Sequence, residues 1–322
     1  MMKWPSVKLC LLFWAILFAV LFIMGEIIDL GVRKSNYSHY YKINLLANKR
    51  ADPEIAVFGS SVGEVGIDPR VIENITGKRT YNYSIDGTRF LQYRGLVKEL
   101  NESSASCKLV IFTETFFSLT KVDQLTEADR YMAHIRNNSI YESLYDVQPE
   151  LAWKLKYIPF YKFVVMKHPY YKASILGLKS WIKNILPDDS LKGYTPKYRT
   201  WETGLDSINK SSKPVTIILD SITIEKYRLT IRELKHKGRK VLIIIPPVHK
   251  DGLALLPNLD VLRKALSSFE EEGVYFRDYS VNGISEDKSY FYNNSHLNDA
   301  GAKKFSGLLA GDINKLLREG GQ

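Results

Sequence analysis

Cysteine is nearly absent: Cys10 lies inside an apolar run and Cys107 just before a predicted strand. Two cysteines so placed are not a pair, which excludes a disulfide framework and a Cys-rich metal site. Zinc-ligand spacing, an RNP-like block and an Arg-rich recognition helix are also missing, so nothing points to nucleic acid. The turn Gly59-Ser60-Ser61-Val62-Gly63 lacks the Gly-Lys-Ser/Thr ending of a phosphate loop. No motif calls for a metal, nucleotide or other cofactor. No internal repeat and no low-complexity segment appears. Acidic residues are outnumbered, 35 against 45 Lys and Arg, for a net charge of +10. That excess suits an anionic neighbour such as a membrane surface or an acidic envelope polymer.

What is present begins with one long apolar run. Leu9 to Gly25 carries no charge and is flanked by Lys3 and Lys8. A helix of that length approaches the bilayer core, about 30 Å thick, and flanking residues extend it. The alternative is a cleaved signal peptide, but the residues after the run are bulky and offer no small-x-small site. The expectation is an uncleaved signal anchor over residues 1–34 with a cytoplasmic tip, the rest lying outside the membrane in a bacterial cell. Residues 35–52, polar and Tyr-rich, are expected to link anchor to domain.

From Pro53 onward, strand and helix patterns alternate. Apolar runs at 55–59, 79–83, 108–112, 241–245 and 274–276 read as strands, and helical spacing recurs at 88–100, 221–236 and 259–271. Short runs apolar on both faces fit a parallel sheet covered by helices on both sides. The fold expectation is therefore α/β, a three-layer α/β/α sandwich over residues 53–322. Residues 119–213 interrupt the alternation with interleaved aromatics and lysines. Such an insertion suits a membrane interface, a lid, a grip on a polyanion, or plain packing on the main domain.

Two stretches carry candidate chemistry. The first strand ends at Gly59-Ser60-Ser61, the end at which open parallel sheets bind ligands. Ser61 is either a nucleophile or a helix cap. Of six histidines, only His296 lies in a polar loop directly before a well-formed C-terminal helix, with Asn298 or Asp299 available as its cap. A serine nucleophile needs such a base.

Together these stretches resemble the SGNH/GDSL hydrolase superfamily. Gly59-Ser60-Ser61 matches its first block with Ser for Asp. Asn293-Asn294-Ser295-His296-Leu297-Asn298 matches its last block with Asn for Asp, and Asn82–Gly87 resembles its second. The third block's asparagine is replaced by Thr115. The resemblance covers about residues 53–117 and 215–317. It implies a flavodoxin-like sheet and a catalytic set of Ser61, His296 and Asn293. It also implies an oxyanion hole from Ser61, Gly87 and the Thr115 position. In layout the chain is similar to the membrane-anchored envelope members that serve teichoic-acid D-alanylation and alginate O-acetylation.

The implied activity is an esterase or O-acyltransferase acting on a cell-envelope glycan or polymer. A membrane protein that supplies acyl groups is a further implied partner. In serine proteases, Asp-to-Asn at the histidine's partner costs about 10⁴ in turnover. Unless a backbone carbonyl, Glu114 or Asp86 compensates for Asn293, the alternative is a degenerate binding or scaffold protein on the same fold.

Overall fold

The structure is a computed structural model that describes residues 4–201 and 213–318. Five strands form one sheet in the order β2-β1-β3-β4-β5, all parallel. They are β1 (Ile55–Gly59), β2 (Thr80–Asn82), β3 (Leu109–Thr113), β4 (Lys240–Ile245) and β5 (Tyr275–Asp278). Every residue of β1 and β3 is buried, as their two-sided apolarity requires. Alternation divides the strands cleanly between two cores. Ala56, Phe58, Val110, Phe112, Val241 and Ile243 face one, while Ile55, Val57, Leu109, Ile111, Leu242 and Ile244 face the other. The fold is the α/β/α sandwich expected, with the N-terminal apolar helix attached.

The first helices are α1 (Trp4–Lys34), α2 (Ser38–Ala47), α3 (Ser61–Gly66), α4 (Pro69–Thr76) and α5 (Phe90–Ser103). The insertion adds α6 (Asn138–Val147), α7 (Pro149–Tyr157), α8 (Lys162–Val165) and α9 (His168–Ile182). Then follow α10 (Ser221–His236), α11 (Lys250–Leu253), α12 (Leu259–Ser267) and α13 (Asp299–Arg318). Helices α5, α10 and α12 cover the first core through Phe90, Leu100, Tyr227, Ile231, Leu262 and Leu266. Helix α13 covers the second through Phe305, Leu309 and Ile313.

The stretch expected as a link, 35–52, is instead part of the domain. Helix α2 buries Tyr40, Ile43 and Leu46 in the first core. Their spacing is that of one helical face, and Tyr40 keeps its polar tip satisfied by donating to Asp129 at 2.9 Å. A tyrosine-rich stretch thus reads as polar in sequence and as core in the fold.

Helix α1 has two unlike halves. From Val7 to Met24 its large apolar side chains lie mostly open, and the 18-residue apolar window buries nothing against the domain. From Gly25 onward it belongs to the fold. A Cβ on Gly177 would overlap the Gly31 carbonyl oxygen, so α9 crosses α1 at backbone contact. Asp29 accepts from Lys162 at 2.6 Å and from the Tyr170 hydroxyl at 2.5 Å. Length and composition make α1 a candidate membrane anchor.

The ends of the insertion meet at its base, where Thr120 and Leu219 bridge antiparallel and Asp220 N–H donates to the Leu119 carbonyl at 2.9 Å. Its aromatics divide: Tyr131 and Tyr170 are buried, whereas Trp153, Tyr157, Tyr171 and Trp181 are exposed. Residues 202–212 of the expected insertion lie outside the described part.

Candidate active site

Two glycines place Ser61. Gly59 ends β1 opposite Thr113 in the β1–β3 register. A Cβ on either Gly59 or Gly63 would overlap the Thr113 hydroxyl, and one on Gly63 would sit 2.5 Å from Ser84 Oγ. Helix α3 can therefore press onto the ends of β2 and β3 only because both positions lack a side chain. Ser60 takes the cap position and makes no side-chain cap bond. Ser61 is the first helical residue, so the capping role considered for it is not the one it has. Its hydroxyl lies 2.8 Å from His296 Nε2.

His296 is held from the other side. Asn293 Oδ1 lies 3.0 Å from His296 Nδ1 and accepts from the backbone N–H of Ser295 at 3.0 Å and of His296 at 2.9 Å. An acceptor carrying those bonds fixes Nδ1–H as donor and leaves the Nε2 lone pair toward the Ser61 hydroxyl. Ser295 Oγ is also 3.0 Å from Nδ1. The loop is closed by a bridge between Phe291 and Leu297. Asn298 caps α13 by accepting from Gly301 N–H at 3.0 Å. Burial lowers the His296 pKa to about 4; Lys197 adds to the effect and the charge of Asp86 opposes it. The imidazole is thus neutral at neutral pH, the form a general base needs.

The remaining candidates are placed as follows. Thr115 lines a cavity together with Val62 and His296. Its N–H is taken by Ser118 Oγ at 2.8 Å, and its hydroxyl lies 3.4 Å from the same atom. Gly87 adopts a left-handed φ of 74° in the turn after β2 and is not among the residues that line that cavity. Of the two acids considered as substitutes, Glu114 is fully buried and accepts from Tyr227 at 2.9 Å. Burial pushes its carboxyl up, and its hydrogen bonds run to the Tyr227 and Tyr93 hydroxyls rather than to the histidine. Asp86 does act on His296, through space.

Sequence reading missed Glu64, three residues beyond Ser61. Its carboxylate is buried and meets His39 at 2.9 Å, the Thr195 hydroxyl at 2.8 Å and Lys42 at 3.5 Å. Burial works against its ionisation, but Lys42, His39 and Thr195 outweigh it and hold the carboxyl well below the usual range. Its Oε2 also accepts from Asp86 N–H at 2.7 Å. One carboxylate therefore ties α2, the insertion and the Asp86-Gly87 turn to the helix bearing Ser61. The insertion's end also runs beside the site. The Lys197 carbonyl accepts from Asp299 N–H at 2.9 Å, and Arg199 lies over the Tyr292 ring at 5.2 Å. An apolar α3 carrying one acidic residue was the only sequence signal for Glu64.

No family model matches the chain, and no curated protein matches it in sequence. Among solved structures it is similar to a GDSL-like lipase from Bacteroides thetaiotaomicron, with 11% identity over 84% of this chain and 99% of that one, TM-score 0.38. It is also similar to a protein described as an acylhydrolase from Bacteroides fragilis, with 13% identity over 85% and 95%, TM-score 0.39. Likenesses this slight bear on neither the chemistry nor the substrate of this chain.

Proposed function

We propose that this protein is a membrane-anchored serine acyl-transfer enzyme, with Ser61 as nucleophile and His296 as base. The observation that carries the reading is the 2.8 Å approach of Ser61 Oγ to His296 Nε2, with Nδ1 held by Asn293. His296 takes the hydroxyl proton as Ser61 Oγ bonds to an ester carbonyl carbon. The N–H groups of Ser61 and Gly87 receive the oxyanion. The ester C–O bond then breaks, and His296 returns the proton to the leaving oxygen. The acyl group on Ser61 passes to water or to a sugar or polyol hydroxyl. An envelope glycan or polymer outside the membrane is the acceptor or substrate this reading assigns, supported by the basic charge and the α1 anchor. A membrane protein that delivers acyl groups is the partner a transferase would need.

One observation favours a second reading. Asn293 carries no charge to stabilise an imidazolium, which suits a binding or scaffold protein that has kept the fold. A fluorophosphonate probe separates the two. The enzyme reading expects labelling of the wild type and none of Ser61→Ala. An unlabelled, folded wild type would transfer the case to the binding reading.

A further inference from the structure

Beside His296, at the C-terminal ends of β3 and β4, the described residues line a partly open cavity of about 240 Å³. Val62, Phe116, Ile245, Pro247, Leu255 and Leu256 form its apolar walls. Val62 adjoins Ser61 in α3 and His296 lines the cavity, so it lies beside the proposed dyad. Thr115, Lys213, Asn294 and Ser295 also line it, and the buried Glu114 accepts from Tyr227 and Tyr93 through Oε1. Apolar side chains make up most of the lining, which favours a hydrocarbon over a hydrophilic acyl group.

We propose that this cavity receives the acyl chain of the substrate, and that the chain is a medium-length alkyl group of about eight to ten carbons. The size follows from comparison: a dry protein cavity of about 150 Å³ holds a six-carbon ring. An acetyl group would leave most of the space empty and its apolar lining without contacts. The assignment rests on Ser61 acting as nucleophile, and it adds the acyl class to that reading. Nothing in it constrains the alcohol side of the ester.

Each methylene moved from water to such a site is worth about fourfold in binding. Six methylenes separate acetyl from octanoyl. Ordering the chain removes part of the gain, so the expected preference is about 100-fold. The test uses the full chain in lipid nanodiscs with p-nitrophenyl acetate, butyrate, octanoate and palmitate. The expected kcat/KM peaks at octanoate, and Leu256→Trp, which fills the cavity, moves the peak to the shorter esters. Probe labelling of Ser61 together with equal or better use of acetate would overturn the acyl assignment and leave the enzyme reading standing. Absence of labelling would defeat the enzyme reading instead. In that event, titration of Ser61→Ala with octanoate and acetate decides the cavity on its own. Octanoate binding that Leu256→Trp weakens supports an alkyl site, and no binding of octanoate refutes it.

Discussion

Replacing Asn293 with Asp tests the weakest point of the site. The change swaps an amide nitrogen for an oxygen of nearly equal size, and Oδ1 keeps its bonds to the N–H groups of Ser295 and His296. It places a full negative charge next to an imidazole whose Nδ1 is already 3.0 Å from that side chain. Two unit charges about 4 Å apart interact by about 4 kcal/mol at an effective dielectric of 20. Solvent at this half-buried loop reduces that to about 2–3 kcal/mol. The same energy stabilises the imidazolium in the transition state, for a rise of about 30- to 150-fold in kcat/KM. It also raises the histidine pKa. The acid limb of the pH–rate profile, set near 4 by burial, should move up by about two pH units. Octanoate ester hydrolysis from pH 3.5 to 8 measures both effects, with circular dichroism to verify folding. A folded Asn293→Asp variant with unchanged rate and unchanged limb would refute the electrostatic account of the dyad.

Three further outcomes are expected. Gly63→Ala pushes a methyl toward Thr113 and Ser84. It should cost about 1–3 kcal/mol of stability and at least tenfold in activity, so a variant matching wild type in melting temperature and rate would contradict the packing argument. Burial, with Arg33 second, lowers the His134 pKa to about 4, while the unfolded chain takes up that proton near 6.5. Stability should therefore be full above about pH 6.5 and fall by roughly 2–3 kcal/mol by pH 4.5 from this residue. Guanidinium midpoints at the two pH values measure it; His134→Gln should shrink the difference, and an equal difference in both proteins would exclude the histidine. Finally, the mature protein should retain α1, and protease added outside spheroplasts should digest the domain; a mature N-terminus near residue 26 would rule out the anchor.

The sheet was legible because its signal is local. Runs such as 55–59 and 241–245 are apolar on both faces, and only a parallel sheet under two layers of helices buries both. Ser61 and His296 were legible because each lies at the junction of an ordered element and a polar turn. Helix α2 was not, since Tyr40 looks polar until its hydroxyl is seen to reach Asp129, 89 positions away. Glu64 was hidden for the same reason: its partners come from α2, from the Asp86 turn and from Thr195. The acyl cavity is a property of space between β3, β4 and α11, which no periodicity encodes. Thr115 lines the cavity with His296, but its bond to Ser118 could not be read in advance.

The absence of a slack link between α1 and the sheet changes how the site meets its substrate. A domain on a loose tether sweeps a volume and brings its nucleophile to targets at many distances from the bilayer. Here three residues separate α1 from α2, and Asp29 clamps the end of α1 to Lys162 and Tyr170. Glu64 then clamps α2 to the helix of Ser61. With α1 in a bilayer, the altitude of Ser61 becomes a fixed quantity. Under the proposed function, the site would work at one stratum of the envelope, and a polymer would be modified where it crosses that stratum. Moving the stratum would require a longer α1, by about 1.5 Å for each added residue.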